Sequence, residues 1–255
     1  MRSDFKFWRL KKESGITFLS FDVWNGVRVL YSTRNTGVSP KPFDSLNLYH
    51  GRGDGINNVR ENKGRFFRAV SITQEDVVFT KQIRSDTITA VTDTRNNPVG
   101  DGLVSDTKGV FLGIFTADCV AVFLYSSVKH AVGVFHAGRK GVEKGICGKA
   151  IQIMCETYTI NAGSIEALFG PSIGPCCYQV GREFEEKFDR QYLIKRGDGL
   201  YLDMWKCIHD ELKQCSVNKI LVPEICSCSR SDLFFSYRKS GAEVGENLGI
   251  IGMPA

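Results

Sequence analysis

A cysteine and a histidine lie at the facing ends of two apolar segments that a short polar break separates. Cys119 ends a Thr-Ala-Asp-Cys sequence, His136 begins His-Ala-Gly, and the polar break covers residues 126–129. Two apolar segments around one tight break predict a β-hairpin. If the turn is centred between Ser127 and Val128, positions 119 and 136 are directly opposite, with Cβ atoms roughly 4.5–5.5 Å apart. A thiol and an imidazole at that distance can form a hydrogen bond or bind one metal ion together.

This pair has two chemical uses, and packing is the alternative to both. An imidazole beside a thiol helps it to act as a nucleophile, and the two side chains are also ligands for zinc or copper. A metal site needs a third protein ligand and an open position. Cysteine is among the most buried residue types, so Cys119 alone would be explained by packing. His136 and Asp118 are not natural core residues. We therefore predict catalytic roles for Cys119, His136 and Asp118.

Composition and length limit the class of protein. The chain has 255 residues, and no repeat, low-complexity tract or proline-rich linker divides it, which predicts a single domain over residues 1–255. No segment is long and apolar enough for a signal peptide or a membrane span. Nine cysteines without an export signal favour a reducing, cytoplasmic location. A net charge of +5 permits an anionic ligand, but no basic stripe with aromatic residues indicates nucleic acid.

The elements that would position the pair are strands and helices without the regular alternation of a Rossmann fold. This pattern predicts an α/β fold, with one layered domain built on a mixed β-sheet. The common nucleotide-binding, zinc-protease and serine-hydrolase motifs are absent. Besides the hairpin, we predict strands over 27–32, 77–80, 87–91, 165–170, 220–222 and 233–235, and helices over 58–70, 141–157, 184–188 and 201–214.

Four other cysteines form two short motifs, Cys176-Cys177 and Cys226-Ser-Cys228. Adjacent cysteines on a strand would point to opposite faces, and the second motif has no partner pair at zinc spacing. Neither motif is therefore predicted to bind zinc by itself.

A series of short motifs runs along nearly the whole chain in a fixed order. They are Ser32-Thr33-Arg34, Gly37-Val38-Ser39, Ser45-Leu46-Asn47-Leu48, Gly53-Asp54, Val59-Arg60-Glu61-Asn62-Lys63, Gln82-Ile83, Asp101-Gly102-Leu103, Thr116-Ala117-Asp118-Cys119, His136-Ala137-Gly138, Gly170-Pro171-Ser172-Ile173-Gly174, Phe235-Ser236-Tyr237-Arg238 and Gly245. Together they resemble the YfiH-type laccase-domain proteins, also called multicopper polyphenol oxidases or peptidoglycan editing factors. The resemblance implies a YfiH-like fold, similar in architecture to a toxin deamidase that uses a Cys–His pair.

The resemblance also implies a metal site. The family looks like purine nucleoside enzymes that hold zinc with a His–Cys–His set, and Cys119 and His136 match two of those ligands. The third is the histidine of a Gln-Val-His motif, where this chain has Gln82-Ile83-Arg84. Arginine stays protonated and cannot bind a metal. His50, one position before a place where the family often has histidine, is a weak substitute. Zinc, copper and a metal-free pair therefore all stay open.

Our leading hypothesis from the resemblance is phosphorolysis of adenosine or inosine, with adenosine deamination as a second reaction. Cys119 and His136 would hold a metal or position water. The expected ligands are a nucleoside and phosphate, with no nucleic acid and no membrane. Basic residues take the phosphate in this hypothesis, and two polar residues shape the nucleoside pocket. They are Arg52, Arg84 and Arg238 for phosphate, and Asn47 and Asp118 for the nucleoside, whose pocket the loop of residues 170–174 also shapes.

Two alternatives belong to other classes. The first is a metal-free Cys–His hydrolase or amidase that edits peptidoglycan precursors, with Cys119 as nucleophile, His136 as base and Arg84 favouring the thiolate. The second is a non-catalytic protein that binds a nucleoside or a protein partner, because Arg84, Arg139 and Glu246 all depart from the family pattern. Polyphenol oxidation is disfavoured, because multicopper sites need many histidine ligands and the chain has four histidines.

Overall fold

The computed structural model describes residues 5–255, and these residues form β-sheets with α-helices packed on them. The strands are β1 (Arg9–Glu13), β2 (Ile16–Phe21), β3 (Arg28–Ser32), β4 (Val77–Phe79), β5 (Ile88–Ala90), β6 (Gly102–Ser105), β7 (Phe111–Thr116), β8 (Val120–Ser126), β9 (Ala131–Ala137), β10 (Ile165–Phe169), β11 (Gln179–Val180), β12 (Leu193–Arg196), β13 (Gly199–Leu202), β14 (Lys219–Leu221) and β15 (Asn247–Gly252). The helices are α1 (Ile56–Val70), α2 (Arg139–Glu143), α3 (Ile146–Tyr158), α4 (Met204–Gln214) and α5 (Tyr237–Ser240).

Two six-stranded sheets make up the body of the fold. The first has the strand order β1-β2-β3-β15-β7-β4, and the second has the order β14-β10-β8-β9-β6-β5. Each contains parallel as well as antiparallel pairs, such as β4 with β7 and β5 with β6 among the parallel ones. A small third sheet has the order β11-β13-β12. The predicted α/β fold with mixed sheets is confirmed.

The layers follow from which faces are apolar. Phe123 of β8, Ile114 of β7 and Val134 of β9 belong to one buried cluster between the two large sheets. The other face of the second sheet packs against α3 and α4, and the other face of the first packs against α1. Both faces of β8 and β9 are therefore covered, and every residue of these two strands is buried. This explains why both strands have nearly continuous apolar sequences. No helix among the described residues has the length and apolarity that a membrane crossing requires.

The predicted β8–β9 hairpin forms, but its predicted register is wrong by two residues. The turn occupies residues 127–130, so Ala121 pairs with His136 and Val120 with Ala137. The centre of this four-residue loop lies one position later than the sequence suggested. A shift by an even number of residues leaves each side chain on the same face of the sheet. Cys119 and His136 are therefore diagonal neighbours instead of directly opposite.

Several helix and strand predictions also need correction. The helix expected over 141–157 is two helices, because Gly145 adopts a left-handed conformation with φ of 83° between α2 and α3. The helix expected from residue 201 begins at Met204, where the Asp203 side chain accepts a hydrogen bond from Lys206 N at 3.0 Å. Residues 199–202 instead form β13. Residues 184–188 and 233–235 form a short 3-10 turn and irregular turns, not a helix and a strand.

Candidate active site

A cleft of about 1110 Å³ contains both members of the predicted pair. Cys119 lies in the turn between β7 and β8, and His136 lies near the end of β9. The adjacent order of β8 and β9 in the second sheet brings these two positions to one wall of the cleft. The cleft is large enough for a small organic ligand, because such sites usually measure about 300–1,000 Å³.

His136 lies between Asp101 and Cys119. Its Nδ1 atom lies 3.1 Å from Oδ1 of Asp101, and the opposite edge of its ring faces Gly138, as the sulfur of Cys119 does. Gly138 leaves room for this arrangement, since a Cβ there would lie 3.0 Å from Cys119 Sγ and 3.5 Å from His136 Nε2. The sulfur and Nε2 therefore occupy the same corner of the site. The three side chains form a carboxylate, imidazole and thiol series with the imidazole in the middle.

Asp101 is the functional residue that the sequence analysis missed. Its carboxylate accepts hydrogen bonds from the backbone N–H groups of Ile83 at 3.2 Å, Arg84 at 3.0 Å and Ser85 at 2.6 Å, and from Ser85 Oγ at 2.8 Å. It thus orients both His136 and the loop that carries Arg84. The motif Asp101-Gly102-Leu103 contributes to the family resemblance, but the sequence alone suggested no role for its carboxylate. One sequence signal does point to Asp101, because it is an acidic residue directly before an apolar strand.

The charges of this series reinforce one another. Burial by itself would lower the pKa of His136, but the interactions with Cys119 and Asp101 outweigh it and raise that pKa to about 10. Burial would likewise raise the pKa of Asp101, but the hydrogen bonds from His136 and Ser85 hold it below its ordinary value. At neutral pH the site therefore contains an imidazolium next to an ionised carboxylate. The imidazolium can donate a proton and can stabilise a neighbouring negative charge.

Asp118 lines the cleft, but its carboxylate is used inside the protein. Ser227 Oγ donates to Oδ1 at 2.7 Å, and the backbone N–H of Arg238 donates to Oδ2 at 2.6 Å. Asp118 also has a positive φ of 91°, which these contacts stabilise in the turn that carries Cys119. The structure therefore gives Asp118 a positioning role beside the pair.

The three predicted phosphate-binding arginines all line the cleft, but their guanidinium groups differ in the contacts that they make. The Arg52 side chain pairs with Glu246 at 2.6 Å, so its charge is already offset. The Arg238 guanidinium donates to the carbonyl oxygens of Cys177 and Gln179, at 3.1 and 2.8 Å. Arg84 is exposed, and only its backbone is held by Asp101. Arg84 thus has the most available guanidinium of the three.

Lysines add to this positive wall. In the part of the chain that the structure describes, Lys63, Lys81 and Lys140 line the cleft and make no ion pair. Lys63 lies 5.2 Å from the centre of the Phe79 ring, and burial lowers its pKa. Together with Arg84, these side chains make the cleft suitable for an anion.

Asn47, predicted to contact the nucleoside, lies outside the cleft. Its side chain is fully buried, and its amide nitrogen donates to Tyr49 O at 2.9 Å and Asp54 Oδ2 at 2.8 Å. Its amide oxygen accepts from the backbone N–H groups of Tyr49 and Glu246, at 3.1 and 3.0 Å. These bonds hold the loop that carries Arg52 against residue 246. Asn47 therefore shapes the cleft only indirectly.

The side chains around the pair do not fit a three-ligand zinc centre. Cys119 and His136 supply two ligands, and Arg84 occupies the place of the family's third. Within residues 5–255, no group of three histidine, cysteine or carboxylate ligand atoms lying within 4.8 Å of one another includes this pair. His50 is exposed and packs its ring against Tyr49, with 5.7 Å between ring centres. His50 thus does not complete the set, and a zinc site with an open position needs three protein ligands.

Comparison with known proteins places this chain in one family. Residues 28–254 match the family described as multi-copper polyphenol oxidoreductase laccase, and the chain belongs to this family. The YfiH-type resemblance is thereby confirmed. The crystal structure of YlmD from Geobacillus stearothermophilus is similar with a TM-score of 0.91 and 27% identity, covering 98% of this chain and all of that one. A Bacillus licheniformis protein called YfiH has a TM-score of 0.89 and 29% identity, covering 96% of this chain and 98% of that one.

Curated relatives carry a more specific name. A protein of Clostridium acetobutylicum named purine nucleoside phosphorylase is 31% identical over 253 residues, which cover 95% of this chain and 98% of that protein. Purine nucleoside phosphorylase YfiH of Escherichia coli is 30% identical over 220 residues, which cover 84% of this chain and 89% of that protein. The relatives thus support a phosphorylase-like function at the level of the family.

Proposed function

We propose that this protein catalyses the phosphorolysis of a purine nucleoside, yielding a free base and ribose 1-phosphate. One observation carries the proposal: protonated His136 stands between Asp101 and Cys119 on the wall of a cleft with unpaired cations. The names of the relatives identify the chemistry that such a cleft would serve. Small molecules are accordingly the proposed ligands, and neither nucleic acid nor a membrane is required.

The proposed reaction exchanges one bond at the sugar for another. The bond between the sugar carbon C1′ and the purine nitrogen breaks, and its electron pair leaves with the purine, which takes a proton from His136. A phosphate oxygen forms the new bond to C1′, and the proton that phosphate then loses restores the imidazolium. General acids of this kind contribute typically 10²–10⁴-fold to a rate.

The cations of the cleft would bind the phosphate. Arg84 has several N–H donors in one plane, a geometry that suits phosphate oxygens, and Lys81 and Lys140 add charge. Fixed cations in a partly enclosed site also stabilise the charge that develops on the transferring group. In this scheme Arg84, which removes the family's third metal ligand, acts as an anion-binding residue. No step requires a metal at Cys119 and His136.

Chromatography of adenosine and inosine incubated with the purified protein, with and without phosphate, tests the proposal. We expect phosphate-dependent release of adenine or hypoxanthine, its loss in His136→Gln, and a slower release in Cys119→Ala, because Cys119 helps to raise the pKa of His136. Cys155→Ala is the matched control, because Cys155 is another partly buried free cysteine and lies outside the cleft. The same chromatogram reports conversion of adenosine to inosine, the deamination that the family resemblance implies. No release of base, or equal release without phosphate, would contradict phosphorolysis.

The same three side chains favour a second candidate, a metal-free hydrolase or amidase. Asp101, His136 and Cys119 follow the order of orienting acid, histidine and nucleophile that covalent enzymes use. Alkylation by iodoacetamide at neutral pH, read by peptide mass spectrometry, tests this candidate. The hydrolase hypothesis requires Cys119 of the wild type to react faster than the other thiols, and faster than Cys119 reacts in the His136→Gln variant. A Cys119 that reacts no faster than Cys155 would eliminate it.

A further inference from the structure

Three other sulfur atoms lie together outside the lining of the cleft. The Sγ atoms of Cys176, Cys177 and Cys226 are all within 4.8 Å of one another, and the first two are 3.7 Å apart. Cys176 and Cys177 lie in a turn, so the expectation that they point to opposite faces of a strand is wrong. A β-bridge between Ser172 and Cys226 brings the two cysteine motifs together across about fifty residues of chain.

The spacing suits a metal ion. Four sulfur ligands at the usual zinc–sulfur distance of about 2.3 Å, arranged as a tetrahedron, lie about 3.8 Å from one another. The distance of 3.7 Å between Cys176 and Cys177 is close to this value. All three cysteines are free thiols in the structure. Cys228, two residues after Cys226, is another free thiol, and its sulfur lies outside this group of three.

The surroundings of Cys226 suit a bound thiolate. Its sulfur accepts the backbone N–H groups of Gly174 at 3.3 Å and Ser229 at 3.4 Å. Burial would raise the pKa of Cys226, but these bonds, with the Ser229 hydroxyl, lower it below its ordinary value. Burial raises the pKa of Cys176 to about 11. Outer hydrogen bonds of this kind typically orient metal ligands, and a cation would displace the remaining thiol protons.

We propose that Cys176, Cys177 and Cys226 bind one thiophilic cation, Zn²⁺ or Cu⁺. Thiolates select these cations over Mg²⁺ or Ca²⁺, which prefer oxygen ligands. Cys176 is exposed and Cys226 is buried, so an ion can enter from solvent and reach the inner sulfur.

The bound ion would brace the candidate active site. Ile173, shortly before the first motif, donates its backbone N–H to Asp118 O at 2.8 Å, and Ser227, inside the second, donates to the Asp118 carboxylate. Both segments that the ion joins thus hold the turn that carries Cys119. The proposed site is separate from the Cys119–His136 pair and does not depend on the proposed reaction.

Cobalt and zinc titrations of the reduced protein test this site. The parent is Cys119→Ala, which removes the thiol of the candidate active site and leaves the cluster intact. We expect one equivalent of Co²⁺ to bind with thiolate-to-cobalt charge-transfer absorption, and Zn²⁺ to displace it. A parallel anaerobic titration with Cu⁺ against a chromophoric chelator shows whether the site has a higher affinity for Cu⁺ or for Zn²⁺. Binding should weaken as the pH falls, because protons compete for the thiolates.

Two variants and a control locate the ion. Adding Cys226→Ser or Cys176→Ser to the parent should abolish the charge-transfer band, and adding Cys155→Ser should leave it unchanged. Cys176 is exposed, so its variant stays informative even if the loss of buried Cys226 prevents folding. Failure of the fully reduced parent to bind either cation would overturn the proposal. A disulfide within the cluster of the freshly isolated protein, with no uptake after reduction, would overturn it in favour of a redox pair.

Discussion

Replacing Asp101 with asparagine removes one charge and almost no volume from the centre of the candidate site. The Asp101 side chain is fully buried. Its Oδ1 faces Arg84 N and His136 Nδ1, and its Oδ2 faces two backbone N–H groups and the Ser85 hydroxyl. In either orientation, the asparagine NH₂ group would face at least two donors.

The expected cost follows from these bonds. Hydrogen bonds to charged groups contribute about 1.5–3 kcal/mol each, so losing two predicts a decrease of about 3–6 kcal/mol in the free energy of unfolding at pH 7. A similar loss is typical when one partner of a buried ion pair is removed. Asp198→Asn, at an exposed turn, is the matched control and should change stability by about 0.5 kcal/mol or less.

The pH dependence of the stability difference provides a second test of this prediction. The pKa of Asp101 is lowered by folding, so its contribution is present above its ordinary value of 3.8 and is lost as the pH falls further. The pKa of His136 is raised by folding, so its contribution is present below 6.5 and is lost as the pH rises through about 10. The difference between the wild type and Asp101→Asn should therefore be largest between about pH 4 and 6.5, and should become smaller in stronger acid and as the pH rises toward 10.

Urea unfolding followed by fluorescence measures the stability of wild type, Asp101→Asn and Asp198→Asn at neutral and acidic pH. NMR titration of the His136 ring supplies a second readout, since its pKa should fall without the Asp101 carboxylate. A loss at pH 7 no greater than that of the control, together with an unchanged His136 titration, would refute this reasoning.

The remaining predictions concern the core and the cleft. Phe123→Ala, at a fully buried position between the two large sheets, should lower the free energy of unfolding by about 3–5 kcal/mol in urea titrations, whereas a loss below about 1 kcal/mol would contradict this packing. Cys119→Ser should lower the pKa of His136, as measured by NMR, because the thiol interaction contributes to the raised value. Activity of the wild type should decline as the pH rises through about 10, where His136 loses its proton, and a rate that rises there would exclude His136 as the acid. Glu246→Gln should lower the KM for phosphate, because Arg52 would be released from its ion pair, and an unchanged KM would place phosphate elsewhere.

The sequence was sufficient to predict that Cys119 and His136 lie close together, but not which residues surround them. Cys119 and His136 are joined by one hairpin, so local pattern predicted that they meet, and only the loop length misplaced the register. Asp101 approaches His136 through the pairing of β6 with β9, a contact across 35 residues that no local pattern shows. The same limit hid the cluster of Cys176 and Cys226, which meet only through a bridge between distant segments.

The position of β15 has a consequence for synthesis of the protein on the ribosome. This strand, residues 247–252, hydrogen-bonds to β3 on one side and to β7 on the other, so it lies in the interior of the first sheet. Until it leaves the exit tunnel, the facing edges of β3 and β7 have no partner, and unpaired edges invite aggregation. The first sheet therefore closes only after residues 247–252 have left the exit tunnel. A nascent chain stalled before residue 247 should remain sensitive to protease and dependent on chaperones.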